Sequence, residues 1–210
     1  MASIRLVKVA IIEGGSSGAD ALPEDLPNAT VVDFTASQLE IPVRWSDMER
    51  VAVFADVQNL YYTVKEQHNS HFDYGAFLRE ATAGRQLVKA RAYATDKGDE
   101  RQRRFQQILK GLGFDVRLQP FVQRADGSTK GDWDVGIAVD MLDLAPRVET
   151  VVLASGDGDY APVVGKMVDE LGIVVEVYGA QDLTAGLLAR RATRFVPIQG
   201  QMLLPIPTSW

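Results

Sequence analysis

The sequence predicts an α/β protein built on a doubly wound parallel sheet, and two observations carry that prediction. From Met48 onward, short apolar runs rich in β-branched residues alternate with longer amphipathic stretches, the pattern of a βαβ series. Glycines stand where helices should stop: Gly111 and Gly113 close the third helical stretch, and Gly172 follows the fifth as a C′ glycine would.

Taken in order, residues 1–45 stand apart as an N-terminal extension. Two short strands, 6–12 and 30–34, flank a turn rich in Gly, Ser, Pro and Asp, with no clear helix. The series proper, expected over 46–198, opens with a strand at 51–56, helices at 59–67 and 74–83, and a strand at 87–94. A helix at 100–112 and a strand at 115–121 follow, then a helix at 132–145 and a strand at 150–155. A helix at 160–171, a strand at 174–178 and a short helix at 183–190 complete it. The tail, 199–210, contains Pro205, Pro207 and Trp210, shows no periodicity and is expected to run extended.

Composition narrows the function classes. A chain of 210 residues, 46% hydrophobic and 24% charged, can bury a substantial core as one domain with an extension or as two small domains. Its apolar runs are far too short to cross a bilayer, and the N-terminus does not read as a signal peptide. With no cysteine, disulfides, thiolate metal sites and cysteine nucleophiles are excluded, and a cytoplasmic location is expected. The net charge of −6 is segregated. Residues 85–130 hold eleven Lys/Arg against five Asp/Glu, a local charge of +6 that leaves −12 for the rest. Within that segment Arg101, Arg103 and Arg104 lie in a helical pattern beside Lys97 and Lys110, where they could meet phosphates or form a solvated face.

In an open parallel sheet, ligands bind outside the carboxyl ends of the strands, near the point where strand order reverses. Three acidic signals fall there. Asp56 ends the first strand, where an ionised carboxylate costs several kcal/mol unless it is paired or bound to a metal; the alternative is an N-cap. The strand at 150–155 runs into Gly156-Asp157-Gly158-Asp159-Tyr160, two carboxylates that repel each other unless a cation neutralises them. A capped turn is the plainer reading, and an EF-hand fails because the required ligand positions fall on Ala161 and Val163. Asp134 shares a helix face with Ile137, Ala138 and Met141, so it should point to the sheet rim. Asp140 and Asp143 lie off that face and read as solvated charges, while Lys130, just ahead of the helix, could contact a phosphate or pair with the acidic cluster. Together, Asp56, Asp134, Asp157 and Asp159 would form an oxygen-rich site suited to Mg²⁺ or Mn²⁺. Two such ions could clamp the attacking water and the leaving oxygen of a phosphodiester.

These residues resemble the NYN family, also called LabA-like, of the PIN-like nuclease superfamily. The resemblance rests on Asp56-x-x-Asn59-Leu60, on Lys130-Gly131-x-x-Asp134-Val135 with Asp140 six residues on, and on Ser155-Gly156-Asp157-Gly158-Asp159-Tyr160-x-Pro162. It covers roughly 48–197 and implies a three-layer α/β/α sandwich with strand order 3-2-1-4-5. It also implies Mg²⁺- or Mn²⁺-dependent cleavage of RNA, with Asp56, Asp134, Asp157 and Asp159 as the acidic cluster and Asn59 beside it. Ser155 and Asp140 enter as secondary residues. The chain departs from the pattern by inserting Asp132-Trp133, which offers Trp133 to a base as a stacking surface.

The expected protein is therefore a metal-dependent endoribonuclease acting on single-stranded RNA, with DNA as an alternative substrate. Lys97, Arg101, Arg103, Arg104, Lys130 and Trp133 are its expected nucleic-acid contacts. A second reading is a non-catalytic RNA-binding or regulatory module on the same fold, and a third is a phosphatase for small phosphoesters. No membrane partner is expected; a homodimer, and a protein partner held through the extension or the tail, are open expectations. Glu13-Gly14-Gly15-Ser16-Ser17-Gly18 matches no nucleotide loop and reads as a turn. His68 and His71 read as solvated, and no nucleophile elbow supports a Ser-His-Asp triad. Of Tyr61, Tyr62, Phe72 and Tyr74, near the end of the first strand, helical spacing puts half in the core and leaves the others able to stack on bases.

Overall fold

Five consecutive residues of the first strand, Val51 to Ala55, are fully buried, as happens when both faces of a sheet are covered. Because successive side chains leave a strand on opposite faces, this run feeds two cores. Val51, Val53 and Ala55 pack with Leu60, Val64, Phe77 and Leu109. Ala52 and Phe54 pack with Ile137, Met141, Val164 and Leu188. The computed structural model describes residues 48–96, 98–120, 122–123, 129–130 and 133–206, with backbone alone for 120, 122–123 and 129–130. The strands expected at 6–12 and 30–34 lie outside the described residues, as does the turn between them.

The elements run β1 (Arg50–Asp56), α1 (Val57–His68), β2 (Ser70–Phe72), α2 (Tyr74–Ala81), β3 (Gln86–Asp96), α3 (Glu100–Gly111) and β4 (Asp115–Pro120). Then come β5 (Val122–Gln123), β6 (Thr129–Lys130), α4 (Asp134–Leu144), β7 (Thr150–Ala154), α5 (Ala161–Asp169), β8 (Val174–Gly179), α6 (Gly186–Arg191), β9 (Arg194–Pro197) and β10 (Leu203–Pro205). Six strands form one parallel sheet in the order β4-β3-β1-β7-β8-β9. Its first five reproduce the expected order 3-2-1-4-5. With α1, α2 and α3 on one face and α4, α5 and α6 on the other, the sandwich has three layers. Strand order reverses between β1 and β7, so the carboxyl ends of those two strands frame the crevice in which ligands of such sheets bind.

Three features were not expected. β9 is a sixth strand, only four residues long and largely unburied, too short to show a period in the sequence. β5 and β6 form a small antiparallel pair ahead of α4. The extended tail includes a strand, β10, that pairs antiparallel with β2, and Met202 is buried.

At the opposite end of the sheet, Glu176 is only 4% exposed and accepts two hydrogen bonds from Arg85, at 2.8 and 3.0 Å. Arg194 stands 3.6 Å away, and the hydrogen bond from Arg85 holds the Glu176 carboxyl below the usual carboxylate range. Removing Arg85 leaves the buried Glu176 carboxylate with only the longer contact to Arg194 among the described residues. Arg85→Met is therefore expected to destabilise the fold by roughly 3 kcal/mol, measured by urea unfolding at neutral pH. The penalty should shrink as pH falls and the stranded carboxyl protonates.

Candidate active site

Asp56 does two things at once. Its Oδ1 accepts the Asn59 backbone N–H at 3.0 Å and so caps α1, leaving Oδ2 to face the crevice. There the Ser155 hydroxyl and the Tyr160 hydroxyl each lie 3.3 Å from Oδ2. Tyr160 also reaches Asp134, its hydroxyl 3.1 Å from Oδ1. Asp134 arrives in the first turn of α4, where the helix dipole favours a carboxylate, held there as Ile137 and Met141 bury the same helix face. Residues 78 positions apart in sequence thus meet on one tyrosine.

The proton count of this trio is short. A phenol has one proton and cannot donate to two carboxylates together, and both contacts are longer than the ~2.7 Å typical of an O–H···O bond. Burial raises the Asp56 carboxyl to about 6, opposed by the Asn59 N–H and reinforced by the charge of Asp134. The Tyr160 hydroxyl is pushed far above its ordinary value, first by burial and then by Asp56 and Asp134. Asp56 and Asp134 thus share one proton donor.

The β7 end supplies the rest of the rim. Asn59 Oδ1 accepts the Gly156 N–H at 2.8 Å, tying α1 to the loop after β7. Ser155 is fully buried; its Oγ accepts the Asp157 N–H at 3.2 Å while its own proton serves Asp56. Asp157 caps the turn that follows, its Oδ1 accepting the Asp159 N–H at 3.0 Å, and Asp159 is exposed. The structure thus shows the capped turn, on the loop that follows β7. Its glycines permit close packing: a Cβ on Gly156 would lie 3.1 Å from the Leu183 carbonyl, and one on Gly158 3.0 Å from Ala185. Among the described residues, no three acidic or histidine side chains gather as a ready metal site. Two of the four expected carboxylates, Asp56 and Asp134, meet; Asp157 and Asp159 stay on the neighbouring loop. The donor chemistry of two carboxylates fits Mg²⁺, which is bound through one or two carboxylates.

The remaining expected residues fall as follows. Asp140 is half-buried and paired: it accepts from the Tyr93 hydroxyl at 2.6 Å and pairs with Arg91 at 2.8 Å, bracing α4 against β3. Trp133 donates its indole N–H to the Ala94 carbonyl at 3.0 Å and packs edge-on to Tyr93, so it pins the start of α4 to the end of β3. A Cβ on Gly136 would come within 2.7 Å of that ring, which explains the glycine. Arg103 is tied to the Gly98 carbonyl and Arg104 to Glu100, whereas Arg101 is exposed and no partner is seen among the described residues. Lys97 lies outside the described residues, and of Lys130 only the backbone, in β6, is described.

Tyr160 was the residue missed. Its signal was its place directly after the Gly-Asp-Gly-Asp run, but a lone tyrosine opening a helix reads as core. If it positions the two carboxylates, Tyr160→Phe should lower turnover about tenfold with little change in KM and cost roughly 1–2 kcal/mol of stability, measured by steady-state cleavage and urea unfolding.

Comparison with known proteins bears on the same residues. The NYN domain matches residues 50–199. The Low amplitude and bright protein LabA of Synechococcus elongatus is 32% identical over 120 residues, covering 53% of this chain and 63% of that protein, so the match spans less than two thirds of the relative. A crystal structure of a Vibrio parahaemolyticus protein of unknown function superposes with a TM-score of 0.71 at 46% identity, covering 75% of this chain and 97% of that one. Among the described residues, no helix is long and apolar enough to cross a membrane.

Proposed function

The chain belongs to the NYN domain family of the PIN-like nuclease superfamily, and from that premise we propose that it is a divalent-cation-dependent endoribonuclease acting on single-stranded RNA. The observation that carries this reading is the Asp56–Tyr160–Asp134 arrangement at the strand-order switch, two carboxylates brought together on one shared hydroxyl.

Asp56 and Asp134 would hold the ion directly, and Asp157 and Asp159 would supply further oxygen donors from the adjoining loop. A bound Mg²⁺ or Mn²⁺ would supply Lewis acidity toward the phosphodiester oxygens. The residues of the chain do the rest. Tyr160 and Ser155 orient the inward oxygen of Asp56, and Asn59 holds the Gly156 loop against α1. Trp133 and Asp140 fix the start of α4, hence the position of Asp134. The basic residues of α3 would meet the phosphate backbone.

The test is cleavage of an end-labelled single-stranded RNA by purified protein in Mg²⁺ or Mn²⁺, with EDTA and the Asp157→Asn variant as controls. Metal-dependent cleavage that is lost in both controls supports the reading. Undiminished cleavage by Asp157→Asn would refute that residue's place in the site. RNA binding that survives EDTA with no turnover under any metal would favour the non-catalytic module instead.

A further inference from the structure

Beside the carboxylates lies a groove of about 1520 Å³ between α1 and α3, larger than the ~300–1,000 Å³ usual for small-molecule sites. One end is formed by Val57 and Gln58, which directly follow Asp56, and by Ala94 and Thr95 at the end of β3. Its walls gather exposed apolar side chains that a monomer ordinarily scatters: Tyr61, Tyr62, Ile108, Leu112 and Leu204. Phe72 and Tyr74, beneath them, are core, so the structure separates the four aromatics of this region into two buried and two exposed.

Tyr61 and Tyr62 are 48% and 57% exposed, with ring centroids 5.2 Å apart and planes 79° to each other. At 1.5 Å of rise per residue they stand roughly 8–9 Å along α1 from Asp56. The Lys65 ammonium lies 5.7 Å from the Tyr61 ring. Across the groove Arg101 sits in the first turn of α3, where the helix dipole disfavours a cation, and no partner is seen among the described residues. A positive charge held against its local field marks a place where an anion is expected. In the same wall Gln106 is only 8% exposed, and its amide nitrogen has no hydrogen-bond partner among the described residues.

We propose that the α1–α3 groove is the channel for a single nucleic-acid strand approaching the carboxylates, with bases stacked on Tyr61 and Tyr62 and a phosphate on Arg101. The proposal deepens the nuclease reading and rests on it. Aromatic rings set across a groove from a cation suit a strand whose bases are splayed from its backbone, because stacking tolerates any base while the cation tracks the phosphates. A duplex keeps its bases paired and presents none to the tyrosines. The place of Val57 and Gln58, next in sequence to Asp56, at one end of the groove favours a strand over an unrelated peptide.

The experiment uses the whole chain in EDTA, so that nothing is cleaved, and follows anisotropy of a fluorescein-labelled single-stranded oligouridylate and of an RNA duplex of equal length. Wild type should bind the single strand at least tenfold more tightly than the duplex. Tyr61→Ala/Tyr62→Ala should weaken single-strand binding about tenfold or more, and Tyr61→Phe/Tyr62→Phe should restore it, because the ring and not the hydroxyl stacks. Arg101→Ala should flatten the slope of log affinity against log salt by about 0.7, one phosphate contact on a single strand. Circular dichroism checks that each variant is folded, and exposure of all three side chains makes unfolding unexpected. The channel is overturned if wild type fails to bind, if the double alanine variant binds within twofold of wild type, or if the phenylalanine pair is as weak as the alanine pair. Cleavage measured in parallel separates the two ideas. Metal-dependent cleavage with tyrosine-independent binding removes the channel and keeps the hydrolase, whereas tyrosine-dependent binding without cleavage keeps the channel and removes the hydrolase.

Discussion

Cleavage of single-stranded RNA by the Asp134→Asn protein is expected to fall by about three orders of magnitude, while its stability changes by no more than about 1 kcal/mol. The asymmetry follows from what the side chain touches. Its Oδ1 faces the Tyr160 hydroxyl, and the carbonyl oxygen of an amide can take the same place. Folding loses the favourable term between a carboxylate and the first turn of α4, a modest one at a helix end. The site loses far more, because a neutral amide removes one of the two charges that call for a cation. Several kcal/mol of Lewis-acid stabilisation depend on that cation, and each 1.36 kcal/mol is tenfold in rate. The measurement is single-turnover cleavage at saturating Mn²⁺, with thermal denaturation alongside. Loss of less than tenfold in a folded protein would show that Asp134 holds no ion.

Asp56 leads to the second large effect, a stability that depends on pH and on metal. Burial raises its carboxyl from an ordinary 3.8 to about 6 in the native state. Between these values the native chain binds a proton that the unfolded chain has released. The stability this group contributes is therefore complete below about pH 4 and is lost as pH rises through about 6. The shift corresponds to about 3 kcal/mol, and a residue only 7% exposed needs little discount for solvent screening. Urea unfolding should show that loss between pH 4 and pH 7.5 in wild type, over and above the titration of other groups. In Asp56→Asn the same interval should be flatter by a comparable amount, because the amide keeps the cap on the Asn59 N–H and carries no charge. Adding Mn²⁺ at pH 7.5 should restore stability to wild type, by about 2.7 kcal/mol at a hundredfold excess over Kd, and do little for the variant. Equal pH slopes in the two proteins would show that Asp56 does not titrate as a buried, cation-seeking carboxyl.

The sequence was most legible where burial was complete. Runs such as Val51 to Ala55 and Val151 to Ala154 could be read as strands because no polar residue interrupts them, and Gly172, at φ +66°, marked a helix end because other side chains rarely adopt that conformation. Asp134 was placed by periodicity alone: a carboxylate on the face of Ile137 and Met141 has to emerge at the rim. Asp140 went the other way. Helical spacing takes it off the face that buries Ile137 and Met141, but spacing says nothing of the neighbouring strand, which brings Arg91 and Tyr93 to meet it. Trp133 looked like a free aromatic for the same reason, since the Ala94 carbonyl it binds is 39 residues distant.

The sequence alone therefore determined the order and kind of the main elements, the covering of the sheet on both faces, and the set of strand-end acids, because these depend on local periodicity and on the cost of burying charge. Only the tertiary structure decided which acids meet. Strand order at the β1–β7 switch and the reach of one tyrosine hydroxyl brought Asp56 and Asp134 together and left Asp157 capping its own turn. Packing of α1 and α3 likewise sorted Tyr61 and Tyr62 outward from Phe72 and Tyr74. Contacts between residues far apart in the chain depend on the path of the backbone between them, and local pattern carries no record of that path.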